Sequence, residues 1–217
     1  MEQVSLRQPD LADAALLPAT PQASTERVAD LIWTVDPKLC EFLFRGDVPT
    51  WRELLRTDWS QAVGLLSHSH SRIALVDNQI AGVIVGHDRE SLHDHWTITL
   101  ERWFESTGPV MRAHLPKSFY YLDLLLPKIP EDVFYVLELA VASEVQRNGI
   151  GTKLMNDAFE RARDDGYQSL MLDVNAASPA LDFYRRLGMD VLVETHVPYL
   201  SANHNVGLYL RLEKKLH

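Results

Sequence analysis

Val136-Leu137-Glu138-Leu139-Ala140-Val141-Ala142-Ser143-Glu144-Val145-Gln146-Arg147-Asn148-Gly149-Ile150-Gly151-Thr152-Lys153-Leu154-Met155 runs from an apolar segment through a polar turn with two glycines into an amphipathic segment. That order predicts strand, loop and helix. Gly149 and Gly151 carry no Cβ, so the loop can turn successive backbone N–H groups into one concavity, and the helix adds the positive end of its dipole. A diphosphate fits such a place. A plain strand-to-helix connection would use the same glycines, so the choice depends on the rest of the chain. There is no G-x-x-x-x-G-K-[ST], and Leu154 stands where G-x-G-x-x-G needs its third glycine, which weakens nucleoside triphosphate and dinucleotide readings.

Downstream, after a helical segment and a second apolar strand, comes Leu172-Asp173-Val174-Asn175-Ala176-Ala177-Ser178-Pro179-Ala180-Leu181-Asp182-Phe183-Tyr184-Arg185-Arg186-Leu187-Gly188-Met189. Gln146-x-x-Gly149-x-Gly151 resembles the acyl-CoA loop of the GNAT superfamily of N-acyltransferases, and the second stretch resembles that family's later signature, in the expected order and spacing. The resemblance begins near Tyr135 and extends toward the C-terminus; the first 130 residues carry no such signature.

The resemblance implies a mixed α/β fold, with a twisted, mostly antiparallel sheet flanked by helices, and transfer of an acetyl group from acetyl-CoA to a primary amine. It implies that the strand ending at Val141 diverges from strand 169–174. The pantetheine arm would enter that gap and bond to backbone at Val141, Ala142 and Ser143, with Asn175 nearby. The diphosphate would rest on the backbone of Gln146, Arg147, Asn148, Gly149, Ile150, Gly151 and Thr152. Tyr184 falls on the motif tyrosine and would protonate or hydrogen-bond the departing sulfur; without the motif it reads as a core aromatic beside Phe183.

The chemistry also needs a neutral amine and a polarised thioester carbonyl, since an alkylammonium is almost wholly protonated at neutral pH. A backbone N–H at the Val141 end of the strand can polarise the carbonyl. Glu138, the carboxylate in the strand core, is the candidate base, because burial raises a carboxyl pKa. Strand alternation sets Glu138 opposite Tyr135, Leu137 and Leu139, so it faces the cleft only if a bulge turns it; otherwise it is structural. A noncatalytic acyl-CoA-binding module, and an acyltransferase for longer chains or protein N-termini, stay open as alternatives.

The 217 residues, 46% of them hydrophobic, suffice for one domain with a sizeable core. The N-terminus lacks signal-peptide features, and no apolar run approaches a membrane span, which points to a cytoplasmic protein without membrane partners. A net charge of −9 argues against nucleic acid and leans toward a cationic small-molecule or peptide amine. Cys40, the single cysteine, reads as a small buried apolar group. His68-Ser69-His70 and His93-Asp94-His95 lack a second ligand cluster at recognisable spacing, so no metal is expected.

In chain order, Val4–Arg7 alternates like a first strand, and Pro9-Asp10 opens a helix through Ala14, Ala15 and Leu17. A second helix starts from Thr25 as N-cap and stops at Asp36-Pro37, and a third covers 50–59. Residues 72–86 read as a hairpin turning at Asp77-Asn78. Residues 87–132 form an aromatic-rich insertion, helical around 98–104 and broken at Pro109, Pro116, Pro127 and Pro130. It reads as a substrate lid, a homodimerisation element or an extra covering layer. After the loop, apolar positions 154, 155, 158, 159 and 162 give a helix ending at Gly166, Ser178-Pro179 opens another, and strands at 191–193 and 206–212 complete the sheet.

Overall fold

A computed structural model describes residues 14–217. Seven strands, β1 (Ala15–Pro18), β2 (Ser71–Val76), β3 (Gln79–His87), β4 (Val133–Val141), β5 (Ser169–Asn175), β6 (Asp190–Thr195) and β7 (Tyr209–Lys215), make one sheet in the order β1-β2-β3-β4-β5-β7-β6. Every neighbouring pair is antiparallel except β4 with β5. The mixed, mostly antiparallel sheet is the one expected.

Helices cover both faces. On one side α6 (Ile150–Asp164) buries Leu154, Met155, Ala158, Phe159 and Ala162 against the sheet, the stripe read from the sequence, with α7 (Leu181–Arg186) beside it. On the other side lie α1 (Thr25–Trp33), α2 (Pro37–Phe44), α3 (Val48–Trp59), α4 (Arg89–Ser106), α5 (Pro109–Leu125) and α8 (Pro198–His204). Among the described residues no helix is long and apolar enough to cross a membrane.

Several boundaries differ from the sequence reading. The strand expected at 4–7 lies outside the described residues, and the helix expected through 15 and 17 is instead β1. Its backbone pairs with β2, Ala15 to Leu75 and Pro18 to Arg72, so sheet pairing overrides a short helical spacing. Ser24, not Thr25, caps α1, accepting from the Arg27 N–H at 3.4 Å. Asp36-Pro37 does not merely end α1: Asp36 Oδ1 accepts from the Leu39 N–H at 3.0 Å and Pro37 occupies the first turn, which opens α2, a helix the reading missed. Pro116 lies inside α5 rather than breaking it, because Met111, Leu115, Phe119 and Leu122 bury one side of a continuous helix. Helix α7 starts at Leu181, after a turn in which Ser178 Oγ accepts from the Ala180 N–H, and α8 was not foreseen. The hairpin turns at Asp77-Asn78 as expected, both residues left-handed at φ 50° and 62°.

One buried ion pair crosses the middle of the sheet. Asp173 on β5 receives Arg211 of β7 in a two-pronged contact (Nε–Oδ1 3.1 Å, Nη2–Oδ2 2.5 Å) and the Tyr135 hydroxyl of β4 at 2.8 Å. Arg211 also donates to the Lys128 carbonyl at 3.1 Å. The two charged side chains are only 3% and 4% exposed, so each depends on the other to offset lost hydration. Arg211→Met should therefore destabilise the fold by about 3–5 kcal/mol, because Asp173 is left buried without its cationic partner. Thermal melts should show a drop on the order of 10 °C, with much of it recovered when Asp173→Leu is added; an undiminished melting temperature in Arg211→Met would refute the pairing.

Candidate active site

The site begins where β4 and β5 stop pairing. Their parallel ladder runs only from Val133–Ser169 to Val136–Leu172, while each strand continues beyond it. The divergence expected at this point is present. On its other edge β4 stays paired with β3, but Val85 faces Glu138 and Gly86 faces Val136, which leaves Leu137 as an extra residue. This bulge changes the side-chain parity of the strand. Phe134 and Val136 before it, and Leu139 and Val141 after it, all belong to the α6 side. Glu138 therefore turns with Ala140 to the α1–α2 side, so of the two arrangements left open by the sequence the strand has the bulged one. Gly86 is required at the bulge, since a Cβ there would lie 2.5 Å from the Phe134 ring.

The gap opens a cavity of about 970 Å³ that reaches from the α6 loop, past Glu138 and Tyr184, to the aromatic residues of α3, α4 and α5. Among the residues singled out from the sequence, Glu138, Val141, Gln146, Arg147, Gly149, Ile150, Gly151, Thr152, Asn175 and Tyr184 line it. Ala142, Ser143 and Asn148 do not. The Ala142 N–H is already donated to the Ala81 carbonyl at 2.8 Å, so it is not available for the pantetheine contact expected of it. That same bond makes residues 142 and 81 a hydrogen-bonded pair, and antiparallel alternation then turns the backbone N–H groups of Val141 and Leu139 away from β3, toward the gap.

The loop at the mouth has the form an anion needs. Arg147 and Gly149 are both left-handed, at φ 64° and 82°, flanking Asn148, an alternation that gathers N–H groups on one side. Gly149 is the N-cap of α6, no side chain caps that helix end, and a Cβ at Gly149 would project into open space. The first N–H groups of α6 therefore have no partner within the helix. Gln146 and Asn148 shape the loop with their side chains: Gln146 Nε2 donates to the Val141 carbonyl at 3.0 Å, and Asn148 Nδ2 to the carbonyls of Val145 and Gln146 at 3.2 Å each.

Inside the gap the titratable groups are arranged around Glu138. Its carboxyl is half-buried and its pKa is pushed up to about 8, first by burial and then by the negative charge of Asp36. Tyr184 is 6% exposed, and burial, with Glu138 second, holds its phenol well above the usual range and hence protonated. Asp36 Oδ2 accepts from Tyr209 Oη at 2.5 Å and from Asn175 Nδ2 at 3.0 Å. Asn175 Oδ1 also accepts from the Ala177 N–H at 3.0 Å, so its side chain serves the strand end and the Asp36 network. Asp36 and Tyr209 were absent from the sequence-based site; an Asp-Pro pair signals a helix start, but nothing local ties it to a strand 173 residues away. Cys40 is buried beside this network with its thiol held protonated by burial.

The far side of the cavity is walled by Trp51, Trp96, Trp103, Phe119 and Leu122, among others. Helices α4 and α5, joined through Thr107-Gly108, thus close it. Asp58 anchors α4: fully buried at the end of α3, it accepts from the Leu66 N–H at 2.7 Å and from Thr99 Oγ1 of α4 at 2.9 Å, and it pairs with Arg102 of α4.

A sequence model of the acetyltransferase (GNAT) family matches residues 36–189. No curated protein matches the chain. Among solved structures, an N-acetyltransferase from Staphylococcus aureus Mu50 superposes with a TM-score of 0.68 at 17% identity, over 93% of this chain and 100% of that one. An acetyltransferase from Bacillus subtilis in complex with CoA superposes with a TM-score of 0.54 at 16% identity, over 94% and 100%.

The environment of Glu138 has a consequence for stability. Its folded pKa lies above the unfolded value, so the stability of the protonated form is complete below about pH 4.5 and is lost as pH rises through about 8. Glu138→Gln removes the charge and keeps the shape. Denaturant titrations should show the variant gaining on the parent between pH 5 and 9 by an amount on the order of a few kcal/mol; a constant difference across that range would mean that Glu138 does not titrate in this window.

Proposed function

This chain belongs to the acetyltransferase (GNAT) family and is an acyltransferase, and from there we propose that it moves the acetyl group of acetyl-CoA to a primary amine carried on a partly apolar body. The observation that carries this reading is the opening between β4 and β5, with an uncapped helix end at one mouth, Glu138 and Tyr184 across the gap, and an aromatic pocket beyond. We read residues 14–217 as a single acetyltransferase domain, and the helices within 87–132 as the wall that receives the acceptor.

The fit to acetyl-CoA rests on this chain's own groups. Backbone N–H groups from Arg147 to Thr152 suit the diphosphate, and the N–H groups of Val141 and Leu139 suit the pantetheine arm and the thioester carbonyl. On the opposite side Glu138 takes a proton from the incoming ammonium, leaving a neutral nitrogen to attack the carbonyl carbon. A carboxyl group with a pKa near 8 is a far stronger base than an ordinary carboxylate, at the expense of being mostly protonated at pH 7.

We assign Tyr184, which lines the same gap as Glu138, to the sulfur as the carbon–sulfur bond breaks. A phenol whose pKa is raised is a poor proton source for a thiolate whose conjugate acid has a pKa near ~8.5, so its contribution is a hydrogen bond to the developing negative charge. Such a bond acts in the transition state. The aromatic pocket supports an acceptor with apolar substance behind its amine, and the net charge of −9 supports a cationic one.

Two measurements test the reading. Tyr184→Phe should remain folded and bind acetyl-CoA nearly as the parent does, while kcat with any accepted amine falls by about 10²-fold; unchanged turnover would remove Tyr184 from the reaction. Gly149→Val, with a β-branched side chain forced toward positive φ at the helix end, should weaken acetyl-CoA binding at least about tenfold by calorimetry in protein that still melts cooperatively. Parental affinity there would move the diphosphate elsewhere.

A further inference from the structure

Three histidines distant in sequence meet at the end of the sheet away from the reactive gap. His70 closes the short 3-10 turn His68–His70 before β2, His87 is the last residue of β3, and His95 lies in the second turn of α4. Their rings stand 4.5, 4.6 and 5.4 Å apart by centroid, and a ring nitrogen of each lies within 4.8 Å of those of the other two. Each of the two His-x-His pairs in the sequence contributes one member, and the third comes from a strand end that the spacing rules did not connect to them.

The protonation of His87 is fixed by geometry. Its Nε2 lies 2.8 Å from the Leu65 carbonyl, and a carbonyl only accepts, so Nε2 carries the hydrogen and Nδ1 presents a lone pair. His87 is 1% exposed, and its Nδ1 is buried with no hydrogen-bond partner among the described residues; the same holds for Nδ1 of His95, which is 8% exposed. Buried lone pairs left empty are costly and uncommon. A ring N–H donated to a backbone carbonyl, with the opposite nitrogen unpartnered and two other imidazoles adjacent, suits a metal-bound histidine oriented from its outer side.

We propose that His70, His87 and His95 bind a divalent transition-metal ion, with zinc the best match to three neutral imidazoles, and that the ion fastens α4 to the end of the sheet. Three nitrogens no more than 4.8 Å apart lie within about 2.8 Å of a common centre, so closing onto a zinc–nitrogen distance of about 2.0–2.1 Å needs side-chain shifts under an ångström. Three protein ligands leave a fourth position for water. Asp88, next to His87, is committed as the N-cap of α4, accepting from the Ser91 N–H at 2.7 Å, and it supplies negative charge close by. Burial holds all three imidazoles toward the neutral form that ligates, His87 down to about 3. Because His95 precedes Trp96, which lines the acceptor side of the cavity, the ion would also steady that wall.

The test is direct. Protein freed of metal with a chelator is titrated with zinc chloride by calorimetry and melted with and without the ion. One equivalent should bind, and at a hundredfold excess over Kd the melting temperature should rise by about 5–10 °C. Cobalt in place of zinc should give the visible absorption of a tetrahedral site. His70→Ala, on the more accessible ring, and His95→Ala should each lower zinc affinity at least about tenfold, and the cobalt spectrum should be lost, while the metal-free proteins still melt cooperatively. No bound equivalent in the parent, or one equivalent held as tightly by both variants, would overturn the site.

Discussion

The end of the β4–β5 ladder at Val136 and Leu172 is the constraint on which the site depends. Above it two strands of one sheet separate, and below it they are held by backbone bonds and by Tyr135, which reaches across to Asp173 at the first unpaired position. Arg211 from β7 completes this lock. A sheet that merely frayed would lose its shape, whereas this one is fixed at the point of divergence and therefore holds a gap of defined width. The bulge at Leu137 then acts on the neighbouring edge: it keeps β4 bonded to β3 through the gap region while turning Glu138 to the α1–α2 side. Both features are backbone events, and they set which side chains can meet across the opening.

The loop and its helix were readable because their cause is local. Gly149 takes φ 82° where a β-carbon would be strained, and the apolar positions of α6 follow a single period, so a short window of sequence contains the whole argument. The same is true of the Asp77-Asn78 turn. What was not readable depended on distant partners. Ala15 to Pro18 became a strand because β2 offered an edge, Pro116 stayed helical because α5 had apolar residues to bury on both sides of it, and the parity of Glu138 depended on a bulge that only the register with β3 reveals. Asp36 shows the limit most clearly. Its capping role was present in the dipeptide Asp36-Pro37, but its bonds to Asn175 and Tyr209 join residues far apart in the chain.

Those bonds also give the order in which protons can move. Asp36 is surrounded by donors from Leu39, Asn175 and Tyr209, which stabilise its charge, and that charge in turn helps hold Glu138 protonated. The two carboxylates near one cavity thus differ in surroundings: Asp36 is bound to three donors, whereas Glu138 is a group raised to titrate near neutrality. In the proposed reaction an arriving ammonium would meet Glu138 in a place where a negative charge is costly. Its approach lowers that cost, since a cation beside the carboxyl favours the ionised form. In the proposed reaction the carboxyl would release its proton to solvent as the ammonium enters and would take the ammonium's proton before attack, while the phenol of Tyr184, also raised by burial, stays neutral and free to donate a hydrogen bond. The raised pKa values are therefore consequences of one buried opening, and in the proposed reaction it is the acceptor's charge, more than any residue added to the site, that would ionise Glu138.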